Sequence, residues 1–260
     1  VIVPIHKSGS KTMINNFRPI SVLTTFNKIV EKIIHKRLVD YTEYAGIMYR
    51  HQYGYIRKSG TETAAQELVD HVRRVLDNKS KASLVFMDLQ KAFDTVCIDR
   101  LLHCLETYGI RGTAQCLFKS FLSNRKQVVR IGNSFSKSRS FTRGVIQGST
   151  VGSWLFILFI NSISNLDTHG KFFMYADDCV LVNEHSPNEN VEDKICHDMQ
   201  LTMDYLYDQR LFLNIEKTKF MIIHPPTMKV DSMQKISIKV RSRSDKELAT
   251  CTIERVFKMK

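Results

Sequence analysis

Two adjacent carboxylates interrupt an apolar run, Phe172-Phe173-Met174-Tyr175-Ala176-Asp177-Asp178-Cys179-Val180-Leu181-Val182, and no other feature constrains the fold as much. Such a run belongs inside a sheet, yet burying an unpaired carboxylate costs several kcal/mol. The pair must therefore sit at a turn, face a cation or bind a metal. Asp is a good turn residue. The usual hairpin turn, however, pairs it with Gly or Asn, and two like charges side by side repel. The pattern predicts a hairpin over Lys171 to Val182 with the two aspartates between its strands, and it favours a metal role.

A third carboxylate ends another apolar strand. Ala82 to Leu89 is a short buried-strand pattern that stops at Asp88, within Leu84-Val85-Phe86-Met87-Asp88-Leu89-Gln90-Lys91-Ala92-Phe93-Asp94. If this strand and the hairpin are sheet neighbours, Asp88, Asp177 and Asp178 meet at one edge. Hard oxygen ligands without His or Cys suit Mg²⁺, with Mn²⁺ as a substitute. Two such ions would clamp the attacking and leaving oxygens of a phosphoryl displacement.

Charge points the same way. The net charge is +12, with basic flanks around an acidic middle. Arg111 to Arg143 alone holds Arg111, Lys119, Arg125, Lys126, Arg130, Lys137, Arg139 and Arg143 and no acid. Such a distribution suits a chain that grips a polyanion while gathering carboxylates elsewhere; solvated surface charge is the alternative. The six cysteines are scattered, which argues against a zinc site or redox pair and suits a reducing compartment. At 43% hydrophobic residues the chain is too apolar to be disordered. Its longest apolar run, Trp154 to Ile160, is far short of the roughly 20 residues that span a bilayer. With no secretory signal at the start, the expectation is a soluble intracellular protein that does not engage membranes. The chain opens on Val1 without Met and closes on Phe257-Lys258-Met259-Lys260, as a fragment of something longer would.

Along the chain, Thr24 to Tyr44 is an amphipathic helix pattern with Phe26, Ile29, Val30, Ile33, Ile34, Leu38 and Tyr41 at helical spacing. Lys28, Lys32 and Lys36 form a stripe on it, either solvated or facing nucleic acid. Helices are also expected over Thr61 to Leu76, Leu101 to Gly109, Thr113 to Leu122, Ser153 to Leu166 and Glu189 to Arg210. Gln127 to Ile131 and Phe135 to Phe141 read as a basic hairpin around Gly132-Asn133, and Leu211 to Ile223 returns to strand-like residues. Helices and strands mix without regular alternation, which favours α+β over a doubly wound sheet.

Tyr175-Ala176-Asp177-Asp178, preceded by Phe86-Met87-Asp88-Leu89-Gln90-Lys91-Ala92-Phe93-Asp94-Thr95-Val96, resembles the palm of a reverse transcriptase of the non-LTR (LINE-type, jockey-like) retrotransposon group. Further stretches agree in the family's order. Pro4-Ile5-His6-Lys7-Ser8-Gly9-Ser10 and Asn16-Phe17-Arg18-Pro19-Ile20-Ser21 resemble its fingers motifs. Gln52-Tyr53-Gly54-Tyr55 with Gly60-Thr61 resembles the next block. Gly144-Val145-Ile146-Gln147-Gly148-Ser149 with Leu155-Phe156 resembles the nucleotide-site loop and helix, and Leu213-Asn214-Ile215-Glu216-Lys217-Thr218-Lys219 the segment after the hairpin.

The resemblance implies a right-hand polymerase fold: fingers from about 1–78 and 98–148, palm from about 79–97 and 149–260 with an antiparallel sheet, and the thumb missing. It implies an RNA-directed DNA polymerase that joins dNTPs to a DNA primer on an RNA template. Asp88 and Asp177 would hold two Mg²⁺ ions, with Asp178 and the carbonyl of Leu89 in support. Lys7 and Arg18 would meet the triphosphate. Gln147 would contact the nucleotide sugar, with Gly148 letting the backbone approach. Phe93 would lie beneath the sugar and exclude a 2′-hydroxyl. Lys217 is either the proton donor to pyrophosphate or a surface lysine. The setting implied is the nucleus and a cytoplasmic ribonucleoprotein.

Three departures stand out: Ile146 where the loop usually has Pro, Ser153 where Pro is common, and Ser162 where Asp is common. An RNA-dependent RNA polymerase shares the palm, but Ala176 and Phe93 argue against it. A degenerate remnant that binds nucleic acid without catalysis is the other alternative, opposed by three intact carboxylates. The oligomeric state is left open.

Overall fold

The computed structural model describes residues 1–228, 235–241 and 248–256; Phe257-Lys258-Met259-Lys260 lie outside them. In chain order, β1 (Ile2–His6) and β2 (Phe17–Ser21) precede α1 (Thr25–Tyr44), α2 (Thr61–Asp77) and β3 (Lys81–Asp88). Next come α3 (Ala92–Thr95), α4 (Ile98–Thr107), α5 (Gly112–Leu122), β4 (Arg125–Gln127), β5 (Arg130–Ile131), β6 (Ser134–Phe135) and β7 (Arg139–Phe141). The remainder is α6 (Thr150–Ile160), β8 (Lys171–Tyr175), β9 (Asp178–His185), α7 (Val191–Asp208), β10 (Lys219–Ile223), β11 (Lys235–Arg241) and β12 (Leu248–Arg255). The fold is α+β, as the irregular mixing of patterns predicts.

Two compact units share the chain: Val1–Met48 with Lys91–Ile160, and Tyr49–Gln90 with Asn161–Lys260. These packing limits do not coincide with the expected fingers and palm limits. Val72 and Val75 of α2 are buried with Ala82 and Leu84 of β3, so α2 belongs with the large sheet.

In that second unit the sheet runs β11-β12-β10-β3-β9-β8. Its pairs are antiparallel except β10 with β12, which is parallel and departs from the all-antiparallel expectation. The chain leaves β10 and returns through the β11–β12 hairpin, whose second strand is laid on the inside. Period-two alternation puts Ala82, Leu84 and Phe86 on one face of β3, where they join Leu68, Val72 and Val75 of α2. Across the sheet, α7 buries Ile195, Met199, Met203 and Leu206. Its Asp198 is fully buried and accepts hydrogen bonds from the Asn183 side chain and the Gly170 amide, which fixes the approach to β8.

In the first unit, α6 is apolar on every side and wholly enclosed from Trp154 to Ile160. It begins at Thr150 and ends at Ile160, three residues earlier and six earlier than the pattern suggests. The Ser149 hydroxyl accepts the Gly152 amide at 2.9 Å, capping the first turn, and residues 161–165 continue as a 3₁₀ turn.

Helix α1 forms where expected, with the Thr24 hydroxyl accepting the Asn27 amide at 3.3 Å. Of the expected apolar stripe it buries only Leu38. Phe26 is 73% exposed and Ile33 55%, while Glu31, Leu38, Val39 and Thr42 are enclosed. Glu31 decides the rotation, because its Oε2 accepts the Ser149 hydroxyl at 2.7 Å. Lys28, Lys32 and Lys36 are all exposed.

The expected basic hairpin is present in two short ladders, β4 with β7 and β5 with β6. Between them Val128 and Val129 turn to β1, where the Ile2 amide donates to the Val128 carbonyl at 2.8 Å. Of the strand-like stretch 211–223, only β10 is strand.

Candidate active site

β3 and β9 are sheet neighbours, with Met87 opposite Cys179 and Asp88 opposite Asp178. Directly opposed residues of an antiparallel pair share a face with their Cβ atoms about 5 Å apart. Tyr175 also pairs with Asp178, leaving Ala176 and Asp177 as the two turn residues. The predicted hairpin is therefore present, but only Asp177 lies between its strands, since Asp178 is the first residue of β9; the three aspartates gather at one end of the β3–β9–β8 ladder. Asp88 and Asp177 are half-buried and Asp178 is exposed.

The turn is held in an uncommon shape. Ala176 has φ +57°, a left-handed conformation that costs a residue with a Cβ about 1 kcal/mol or more. Its amide donates to Oε1 of Gln52 at 3.1 Å, and the same oxygen accepts the Gly54 amide at 2.9 Å. Tyr53 donates its amide to the Met174 carbonyl at 2.8 Å. Gly54 is obligatory here, since a Cβ would drive into the Ala176 amide nitrogen. The segment 52–54 thus braces the turn from outside the sheet. The sequence marks Gln52-Tyr53-Gly54 as a block without a role, because nothing in it shows that Gln52 is buried.

A second brace holds Asp88. The Asn214 amide donates to the Asp88 carbonyl at 2.7 Å and the Gln90 amide to the Phe212 carbonyl at 2.8 Å. Neither bond uses the carbonyl of Leu89. The following turn places Nζ of Lys217 3.3 Å from Oδ2 of Asp88, with the lysine side chain 57% exposed. Lys217 and Asp88 are brought together although 129 positions apart in the chain.

Oxygen donors alone, three carboxylates and a backbone carbonyl, fit a hard divalent ion such as Mg²⁺ better than zinc. Among the described residues a tighter three-ligand group exists in His169, His197 and Asp198, whose ligand atoms all lie within 4.8 Å of one another. There Asp198 already accepts from the His169 and Gly170 amides, the Asn183 amide group and the His197 ring. That carboxylate is a structural pin. None of the six cysteines is joined in a disulfide.

The remaining expected residues lie in the other compact unit. Ile5 pairs with Arg18 in the β1–β2 ladder, and the Lys7 amide donates to the Asn16 carbonyl at 2.8 Å. Alternation puts the exposed Lys7 and Arg18 on one face at the end of this hairpin. The loop 144–148 is laced to α3: the Val145 amide donates to the Phe93 carbonyl at 2.7 Å and the Gly144 amide to the Val96 carbonyl at 2.8 Å. Nε2 of Gln147 donates to Oδ1 of Asp94 at 3.1 Å. Burial raises the Asp94 pKa, while Lys91 and the Gln147 bond oppose the rise. Asp94 is a partner that sequence reading did not assign to Gln147. The Gln147 carbonyl accepts the Ser21 amide at 2.9 Å, and Gly148, at φ +96°, adopts a conformation strained for any other residue. The Phe93 ring stacks on Phe156 with centroids 4.4 Å apart.

Residues 5–245 match the family model for reverse transcriptase (RNA-dependent DNA polymerase). The chain belongs to the reverse transcriptase family. Its relatives include a probable RNA-directed DNA polymerase from transposon BS of Drosophila melanogaster, 33% identical over 195 residues, 70% of this chain and 21% of that one. Another is a probable RNA-directed DNA polymerase from transposon X-element of the same organism, 30% identical over 206 residues, 74% of this chain and 22% of that one. A third is the RNA-directed DNA polymerase from mobile element jockey, 28% identical over 194 residues, again 74% and 21%. This is a reverse transcriptase domain of the non-LTR retrotransposon kind, and it spans about a fifth of the length of these relatives. Among solved structures, apo telomerase from Candida tropicalis truncated from its C-terminal domain matches with TM-score 0.56 at 14% identity. That match covers 85% of this reverse transcriptase domain and 49% of the telomerase chain. Telomerase from Candida albicans gives 0.54 at 15% identity, covering 79% and 37%. At such identities the likeness is one of fold.

Proposed function

We propose that this reverse transcriptase domain catalyses RNA-directed DNA synthesis, nucleotidyl transfer from a dNTP to the 3′-hydroxyl of a DNA primer on an RNA template. The opposition of Asp88 to Asp178 at the end of the β3–β9 ladder, with Asp177 in the adjoining turn, carries the reading. Asp88, Asp177 and Asp178, with the Leu89 carbonyl, would hold Mg²⁺. When bound, the ions supply Lewis-acid stabilisation of the charge developing on the transferred phosphoryl group.

The chain's own groups divide the other tasks. Lys217, beside Asp88, supplies the proton that pyrophosphate needs as it leaves. Lys7 and Arg18 take the triphosphate charge, Arg18 through its forked donors. Gln147 and Gly148 receive the sugar, on a loop whose shape α3 and Ser21 fix. Phe93, steadied by Phe156, blocks a 2′-hydroxyl. In this reading the sheet-bearing side of the protein is the palm and the β1–β2 hairpin belongs to the fingers. The setting is intracellular, in the nucleus and in cytoplasmic ribonucleoprotein particles.

The test is extension of a DNA primer on an RNA template with Mg²⁺ and dNTPs, beside Asp177→Asn. Extension by the wild-type chain and its loss in the variant are expected. Equal extension by both would overturn the assignment of the aspartates. A wild-type chain that retains primer–template and extends nothing would favour the non-catalytic, nucleic-acid-binding reading.

A further inference from the structure

The basic hairpin between α5 and the 144–148 loop plays no part in the chemistry above, yet it is built and anchored. Its stem is the β4–β7 ladder, and the junction between stem and outer arm is tied to β1 by the Ile2 amide on the Val128 carbonyl. Arg125 lies 4.6 Å over the Phe121 ring, a cation–π contact that fixes the stem to α5. The outer arm is closed twice by Ser136, whose amide donates to the Val129 carbonyl at 2.9 Å and whose hydroxyl accepts the Val129 amide at 3.0 Å. At the tip, Gly132 supplies the left-handed φ of +58° that a two-residue hairpin turn requires.

This rigid ribbon presents an unusual combination. Lys126, Arg130, Lys137, Arg139 and Arg143 are exposed along it, and no acid occurs between positions 111 and 143. At its tip Phe135 is 62% exposed. The ladder pairs Arg130 with Phe135, so the guanidinium and the ring share one face. A lone aromatic ring in water beside a cation, on an arm that repels other cations, is poorly suited to burial against protein. It is well suited to a polymer that alternates flat apolar faces with negative charges.

We propose that this arm binds single-stranded nucleic acid, the Phe135 ring stacking on an unpaired base while Arg130, its ladder partner on the same face, neutralises a flanking phosphate. The proposal rests on the polymerase reading only in taking nucleic acid as the polyanion. Stacking requires an accessible base face, which a continuous duplex does not offer, whereas phosphate contacts alone would accept either form.

The experiment measures binding of the full chain to an RNA oligonucleotide carrying one 2-aminopurine, without Mg²⁺ or dNTPs, across a salt series. Wild-type binding should change the 2-aminopurine emission, and Phe135→Ala should abolish that change and weaken binding roughly 5- to 100-fold. Arg130→Gln should weaken binding uniformly across sequences and lower the salt slope by about 0.7 for one phosphate on a single strand. Phe26→Ala, which removes an exposed aromatic from α1, should bind as wild type. Unaltered affinity and emission in Phe135→Ala would overturn the proposal, as would equal loss on a blunt duplex. Primer extension, read separately, decides the polymerase assignment: an Asp177→Asn chain should retain the 2-aminopurine response.

Discussion

The Gln52 side chain and the Ala176 amide are hydrogen-bonded at 3.1 Å, and the same Gln52 oxygen holds Gly54 at 2.9 Å. One buried carboxamide therefore sets the shape of the turn that carries Asp177. Gln52→Leu strands two buried amides, each costing about 1–3 kcal/mol. The expected result is a lowered melting temperature and a fall in kcat of roughly 10- to 100-fold, since small misplacements of reacting groups are costly. Ala176→Gly relieves the left-handed strain and should keep activity. Full activity in Gln52→Leu would show that the brace does not position the aspartates.

Lys217 and Asp88 make an exposed ion pair, so its stability contribution is at most about 1 kcal/mol. Lys217→Met should leave the melting temperature nearly unchanged while lowering kcat by roughly 10²-fold or more, the range of general-acid contributions. Lys217→Arg separates charge from proton donation, because a guanidinium does not release its proton in the working range. Wild-type rate in the arginine variant would eliminate Lys217 as the donor.

Phe93 tests sugar selection. Phe93→Ala should raise ribonucleotide incorporation relative to deoxynucleotide, with Phe93→Leu intermediate. Loss of the stack on Phe156 costs about 0.5–1.5 kcal/mol beyond the buried area. Unchanged discrimination with measurable destabilisation would leave Phe93 as a packing residue alone.

His185 gives the fold a pH dependence. It is buried on β9, its Nε2 lies 2.7 Å from the Ser83 hydroxyl, and burial pulls its pKa down to about 4. Between about 6.5 and 4 the unfolded chain binds a proton that the folded chain refuses. Stability is therefore complete above pH about 6.5 and declines as pH falls toward 4. Denaturant midpoints taken across this window should fall with acid in the wild type and less steeply in His185→Gln. Parallel curves would assign the acid sensitivity to other groups.

Much of this was legible in the sequence because the decisive signals were local. An Asp pair inside an apolar run signalled a turn, and the chain does reverse there, between β8 and β9, with Asp177 in the turn and Asp178 opening β9. Asp88 at the end of its strand gave the third carboxylate, and the ladder supplied the pairing that the pattern could only suppose. What stayed hidden was decided by partners distant in the chain. The apolar stripe of α1 predicted a buried face, but the bond from Ser149 to Glu31 turns a carboxylate inward and leaves Phe26 in solvent. The hairpin divides into two ladders because β1, more than a hundred residues earlier, takes up the backbone between them. Gln52 looked like one polar residue among many until the turn it holds was visible. Packing, equally, drew the unit boundaries that composition did not mark.

The opposition of positions 88 and 178 has a consequence for how such genes can change. Side chains along a strand alternate between faces, so losing one codon anywhere from 82 to 87 would swing the first aspartate to the far side of the sheet. Substitutions can accumulate along this strand while its hydrophobic character lasts, but its length cannot drift by a single residue. Copies of the element that carry a small in-frame deletion there should be catalytically dead even when every aspartate codon survives.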